Sequence, residues 1–263
     1  MTPKSNPVAE RSHQDHPGVF VLCEPNDESA LWVAAGIQER MAGPVDVVTG
    51  PMLIGAGTWE HRIRGDVAEV EITLEDGRRI SSLRPRPILN RMSVVSTPLF
   101  SAVASADRDY AVQEFHALFL SWLWAYPGLV LNRPSPQFLG GHWRTPAAWA
   151  VLAAKAGLPT AHYRYTSDDH PEDLHIPLPS AHRPVETVVV VAGQVLASPA
   201  VPTPLADACQ RLAALSGDEV VGIDLARAGR GSWEFINASP SPSLLAGGER
   251  LLDVLVGVLL AAA

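Results

Sequence analysis

Ser232-Trp233-Glu234-Phe235-Ile236-Asn237-Ala238-Ser239-Pro240-Ser241-Pro242 reads as a strand that runs into a loop braked by prolines. Aromatic and β-branched residues favour the pleated state, and proline cannot donate to a ladder. Regular alternation along such a strand puts Phe235 and Asn237 on one face and Glu234 on the other. A carboxylate sharing a metal with Asn237 is then expected at position 235, where Phe stands. Upstream, Val220 to Ala226 is a partner strand, Pro204 to Leu215 a helix, and Val185 to Leu196 a hairpin about Gly193. Downstream, the apolar run Glu249 to Leu260 closes the chain as a helix.

The earlier part alternates strands and helices. Val19 to Cys23 is a short apolar run between Pro17-Gly18 and Pro25-Asn26, as expected of a buried parallel strand. Asp27 or Ser29 caps a helix over Glu28 to Met41, and Val45 to Thr49 is a second strand. Val67 to Leu74 alternates apolar and polar residues, and Asp76-Gly77 signals a hairpin into Arg79 to Leu83. Pro87 to Arg91 and Leu129 to Asn132 are further strands, with a helix over Asp109 to Trp124 between them. Thr145 to Ala156 is a helix with Pro146 in its first turn and Gly157 just past its end. Ser167 to Pro184 is polar and rich in Pro, Asp and His, which reads as loop. The order of elements predicts an α/β protein of two lobes.

The 263 residues, 47% hydrophobic and 18% charged, suffice for one large or two small cores. No apolar run reaches membrane-spanning length, and Met1 to His16 is polar without a signal-peptide core, so a cytoplasmic protein is expected. A net charge of −8 argues against a nucleic-acid partner, since no basic excess exists to displace phosphate counterions. Cys23 and Cys209 are lone thiols without paired spacing, expected as small buried residues. Lysine occurs only at Lys4 and Lys155, against eighteen arginines. Codon bias accounts for most of that, yet it restricts any mechanism that needs lysine.

In order and pattern the chain resembles the ATP-grasp superfamily, in particular the ligase branch near RimK and the graspetide-forming ligases. The stretches that carry the resemblance are VLCEPNDESA from Val21 and LEDGRRISSLRPRPILNRMS from Leu74. With them go LVLNRPSPQFLGGHWRTPAAWAVLAAKAGLPT from Leu129, ETVVVVAGQVLAS from Glu186 and GDEVVGIDLARAGRGSWEFINASPSP from Gly217. The resemblance implies a doubly wound pre-ATP-grasp lobe over 18–165, a short loop over 166–184 where the family carries a lid, and a truncated ATP-grasp lobe over 185–263, after a disordered leader at 1–17. Fewer than twenty residues separate Ser167 from Glu186, and they contain neither Lys nor Gly, the residue types with which the family lid grips phosphate. The family's other phosphate lysine aligns with Arg144. Its terminal Glu-x-Asn metal motif aligns with Phe235-Ile236-Asn237, while Asp224 matches the first metal acid.

Three readings follow. The first is a degenerate, lidless protein that uses no cofactor and acts as a binding or scaffold partner in a peptide or small-molecule tailoring pathway, because phosphoryl transfer needs cations bridging the phosphate oxygens in a dry site. The second is an ATP-independent enzyme acting on an anionic small molecule or peptide, in a cleft lined by Arg133, His142, Arg144, His170 and Asp224. The third is an active carboxylate–amine ligase using Mg-ATP with a rearranged site of Arg144, Asp224, Glu234 and Asn237. Asn132, Arg133, His142 and Arg144 lie where strands of a doubly wound sheet end, the usual ligand crevice. His162, His170, His175 and His182, with Asp168, Asp169 and Asp173, read as a solvated loop or, less simply, as metal ligands. Ser135 and Ser239 lack a nucleophile-elbow pattern.

Overall fold

A computed structural model describes residues 18–65, 67–95, 100–101, 104–161, 184–197, 200–228 and 232–262. Four short parallel strands make the first sheet: β1 (Val19–Cys23), β2 (Val45–Thr49), β6 (Ile88–Asn90) and β7 (Val130–Leu131), in the order β2-β1-β6-β7. All five residues of β1 are buried, as an apolar run covered on both faces requires. Its alternate residues divide between two cores. Val19, Val21 and Cys23 pack with α1 (Glu28–Arg40) and α6 (Gly248–Ala261), and Phe20 and Leu22 pack beneath α3 (Ser105–Ala125). The cap of α1 is Asp27, whose carboxylate accepts from Ala30 N at 2.9 Å.

Between β2 and β6 the chain makes a helical turn, α2 (Gly50–Ile54), and an antiparallel meander of β3 (Thr58–Arg64), β4 (Val67–Thr73) and β5 (Arg79–Ser81). The meander holds α3 through aromatic rings. Trp59 stacks on Phe119 with centroids 5.4 Å apart and meets Trp122 edge-on at the same distance.

The second sheet is antiparallel, β11-β10-β8-β9, built from β8 (Val185–Val191), β9 (Gln194–Leu196), β10 (Val220–Ala228) and β11 (Ser232–Ser239). Ala192 and Gly193 turn the β8–β9 hairpin, both at positive φ of 46° and 76°, the geometry that matches strand twist in a two-residue loop. One face of this sheet packs on α4 (Pro146–Ala156) and α5 (Thr203–Ser216) through Val188, Val190, Ile223, Leu225 and Phe235. On the other face Val189, Val191 and Val220 join the cluster that contains Val19, Leu131 and Leu255. A shared apolar core thus fastens the two sheets together. The expected α/β class with a doubly wound first sheet is what the structure has. No described helix is long and apolar enough to cross a membrane.

Candidate functional site

The strand β11 does not alternate. Asp224 pairs with Asn237, Leu225 with Phe235 and Ala226 with Glu234, which leaves Ile236 as an extra residue. That is a β-bulge, and it resets which side chain faces where. Phe235 and Ala238 both enter the core beneath α4 and α5. Trp233 packs on the same side, with the Arg227 guanidinium 4.7 Å from its ring. Glu234 therefore shares the opposite face with Asp224 and Asn237. The expectation that Phe235 shares a face with Asn237 and that Glu234 points away is corrected here, because it assumed a regular strand. Phe235 and Ala238, apolar and three apart in a strand, are the one sequence signal of the irregularity.

Thr187 on β8 stands directly opposite Asp224, and its hydroxyl donates to Asp224 Oδ1 at 2.7 Å. Thr187, Asp224 and Asn237 thus form a polar row across three strands, with Glu234 one rung further along. A lone threonine in an apolar strand had no sequence signal for this role. Two carboxylates and an amide on one face have the oxygen chemistry of a magnesium site. Among the described residues, however, no three His, Cys, Asp or Glu side chains converge as a metal-binding group.

Arg144, aligned with the phosphate lysine, is committed elsewhere. Its Nη2 donates to Ser216 O at 2.6 Å, and its Nη1 donates to His142 O at 3.2 Å and Asp218 Oδ2 at 3.4 Å. Its guanidinium also lies 4.9 Å from the Trp149 ring. Arg144 thus spends its donors on protein groups where the resemblance places a phosphate contact.

His142 and Arg144 meet at Asp218, whose side chain is 1% exposed. Asp218 Oδ1 accepts from His142 N at 2.9 Å and lies 2.9 Å from His142 Nδ1. Gly141, at φ 131°, permits this approach, since a Cβ there would come within 2.9 Å of Asp218 Oδ1 and 2.7 Å of Pro240. A cavity of about 300 Å³ lined by Gly193, Gln210, Gly217, Asp218 and Glu219 opens beside the pair. Asp218 was not legible in the sequence as a site residue, lying 76 positions from His142. Asp218 lies in the turn before β10, and Asp224 lies in the middle of that strand. Of the cleft expected from Arg133, His142, Arg144, His170 and Asp224, the structure brings His142 and Arg144 together at Asp218, while Arg133 and Asp224 take other partners; His170 lies outside the described residues, as do His162, His175, His182, Asp168, Asp169 and Asp173.

Asn132 and Arg133, expected to contact a ligand, have protein partners in this structure. Asn132 is 2% exposed, and its amide donates to Val220 O at 2.8 Å and Pro240 O at 2.9 Å while accepting from Val220 N at 2.7 Å. Asn90 supports it from below, donating to Asn132 O at 2.8 Å and Leu139 O at 2.6 Å. The Arg133 guanidinium donates to Leu123 O, Trp124 O, Tyr126 O and Gly128 O, closing the carboxyl end of α3. Burial holds its pKa below the usual arginine value.

The chain has an ATP-grasp-like fold, shared with solved peptide-modifying ligases. Macrocyclase MdnC from Microcystis aeruginosa MRC, bound with precursor peptide MdnA, superposes with a TM-score of 0.72 at 12% identity, covering 93% of this chain and 99% of that one. A Chryseobacterium gregarium RiPP-associated ATP-grasp ligase in complex with ADP and a leader and core peptide gives 0.69 at 10% identity, covering 94% and 97%. The ATP-grasp ligase PsnB, complexed with a phosphomimetic variant of minimal precursor, Mg and ADP, gives 0.67 at 19%, covering 93% and 96%. No protein-family model matches the chain. No curated protein matches it either. The likeness is one of fold.

Proposed function

We propose that this chain is an ATP-grasp-fold protein that binds a peptide in a peptide-tailoring pathway and does not transfer phosphate from ATP. The observation that carries the reading is the commitment of Arg144 to Ser216 O, His142 O and Asp218. Without cations on the transferring phosphoryl group, most of the electrostatic stabilisation of that transition state is lost. The stretch between Ser167 and Glu186, without Lys or Gly, supports the same conclusion. The peptide partner is supported by two solved neighbours, one bound with precursor peptide MdnA and one in complex with ADP and a leader and core peptide. The lobes expected at 18–165 and 185–263 exchange helices, since α4 packs on the second sheet and α6 packs against α1 on the first; in this reading the protein is cytoplasmic. Calorimetric titration with Mg-ATP, followed by an ADP assay, is the test: no heat and no ADP are expected, and micromolar binding with turnover would overturn the reading.

A second reading rests on the bulge. With Glu234, Asn237 and Asp224 on one face, the metal-binding half of a ligase site is rebuilt by a different spacing, and the chain would be a carboxylate–amine ligase with a rearranged site. ADP release dependent on both an acid and an amine, and abolished by Glu234→Gln, would establish it.

A further inference from the structure

The helix α3 turns a second face away from its aromatic core. At 100° per residue, positions 107, 110, 114, 117, 121 and 124 fall within one arc of the helix, about 25 Å long. Asp107, Tyr110, Glu114, Ala117 and Trp124 on this arc are exposed, Tyr110 at 66% and Trp124 at 62%. At its carboxyl end Leu120, Ser121 and Trp124 form a groove with Pro134 and Pro136, of about 320 Å³. The groove is preformed. Arg133, just before Pro134, ties the loop to the last turn of α3 through Leu123 O and Trp124 O and to the chain just beyond it through Tyr126 O and Gly128 O. An exposed indole beside the exposed Pro136, with Pro134 forming the floor, leaves apolar surface in water at a cost of roughly 25 cal/mol per Å², which an apolar side chain of a partner would recover.

We infer that this face of α3 docks a peptide that places an apolar side chain between Trp124 and the two prolines and basic side chains along Glu114 and Asp107. Charge complementarity selects the occupant. The arc carries two carboxylates and no Lys or Arg among its six positions, so a basic peptide is attracted and an acidic one repelled. Aromatic-lined grooves and Trp anchors are recurrent ways of gripping short peptides. The inference rests on the peptide-binding reading and names where the peptide sits.

The probes are two labelled synthetic peptides, acetyl-Pro-Leu-Pro-Leu-Ala-Ala-Arg-Ala-Ala-Arg-amide and its counterpart with Glu at both Arg positions. Fluorescence polarisation gives the affinities, and the Trp124 indole resonance, assigned by its loss in Trp124→Phe, reports the location. The expected result is at least tenfold tighter binding of the Arg peptide, with the Trp124 resonance shifted. Glu114→Lys, at an exposed position, should narrow or reverse that preference by about tenfold. An unshifted Trp124 resonance, no binding of either peptide, or a charge preference indifferent to Glu114→Lys would overturn the inference. Tight binding that shifts resonances elsewhere would defeat the α3 site and leave the peptide-binding reading standing, whereas ADP turnover would defeat the non-ligase reading and leave this site untouched.

Discussion

Asn132 and Val220 pair as two strands do: the side-chain amide of one donates to the carbonyl of the other at 2.8 Å and accepts from its N–H at 2.7 Å. A single side chain thereby extends the hydrogen-bonding of the parallel sheet into the first residue of β10, and the same amide also holds Pro240 O after β11. Asn132→Ala should leave three backbone groups unsatisfied in a buried position and lower stability by about 3 kcal/mol. Urea denaturation should register this as a lower midpoint with an unchanged slope. Asn132→Asp should be at least as damaging, because its second oxygen would face two carbonyls. A loss under about 0.5 kcal/mol for either variant would mean that the amide is not the joint between the sheets.

The bulge on β11 makes a sharper prediction. Deleting Ile236 removes the residue without a partner and leaves Asn237 opposite Asp224, Phe235 opposite Leu225 and Glu234 opposite Ala226. The ladder becomes regular and every inward side chain keeps its place. The deletion should cost less than about 1.5 kcal/mol, since only a half-exposed side chain is lost. Deleting Phe235 instead removes a fully buried ring and should cost about 3–5 kcal/mol. Thermal unfolding of the two deletions compares them directly, and equal losses would sink the register described here.

Much of the framework was legible because local chemistry and tertiary structure agree. Thr145 caps α4 by accepting from Ala148 N at 3.2 Å, and Gly157 ends it at φ 86°, as the Thr-Pro start and Gly stop imply. The hairpin at Gly193 and the apolar strands β1, β2 and β10 likewise follow from period and turn residues. The strand β3 was not legible, since Thr58–Arg64 is mostly polar and exposed, and its only packed aromatic is Trp59. The site was legible as residue types and not as geometry. Asp224, Glu234 and Asn237 stand on one face only because of an extra residue that strand periodicity cannot register. His142 and Arg144 were candidates for ligand contact, yet their partner Asp218 comes from a turn 74 residues beyond Arg144. Long-range side-chain partners of that kind leave no trace in spacing.

The two cysteines should be silent in the native protein. Burial pushes the Cys23 thiol up to about 11 and the Cys209 thiol up to about 12, and both side chains are fully buried. At pH 8 the reactive thiolate is then about one part in a thousand or less for each. A chromogenic disulfide reagent should label neither cysteine within minutes in buffer and both in denaturant. Rapid labelling of one thiol in buffer would show that its side of the core opens locally far below the global unfolding free energy.

Glu24 closes β1 at the carboxyl edge of the parallel sheet, beside Gly50 and Met92, and its Oε1 is buried without a hydrogen-bond partner. Burial, and then the neighbouring Asp27 charge, hold its carboxyl above the ordinary glutamate value. The folded state therefore binds this proton more readily than the unfolded chain does. Its contribution favours the native state below the ordinary value, and is lost as pH rises through the raised one. At neutral pH the ionised group is a net cost, held below roughly 1 kcal/mol because the side chain is half-exposed and screened by solvent. Glu24→Gln should consequently be more stable than the parent at pH 7.5 and indistinguishable from it at pH 4. Urea midpoints at the two pH values measure this, and a difference of the same size at both would place the effect in packing instead of protonation.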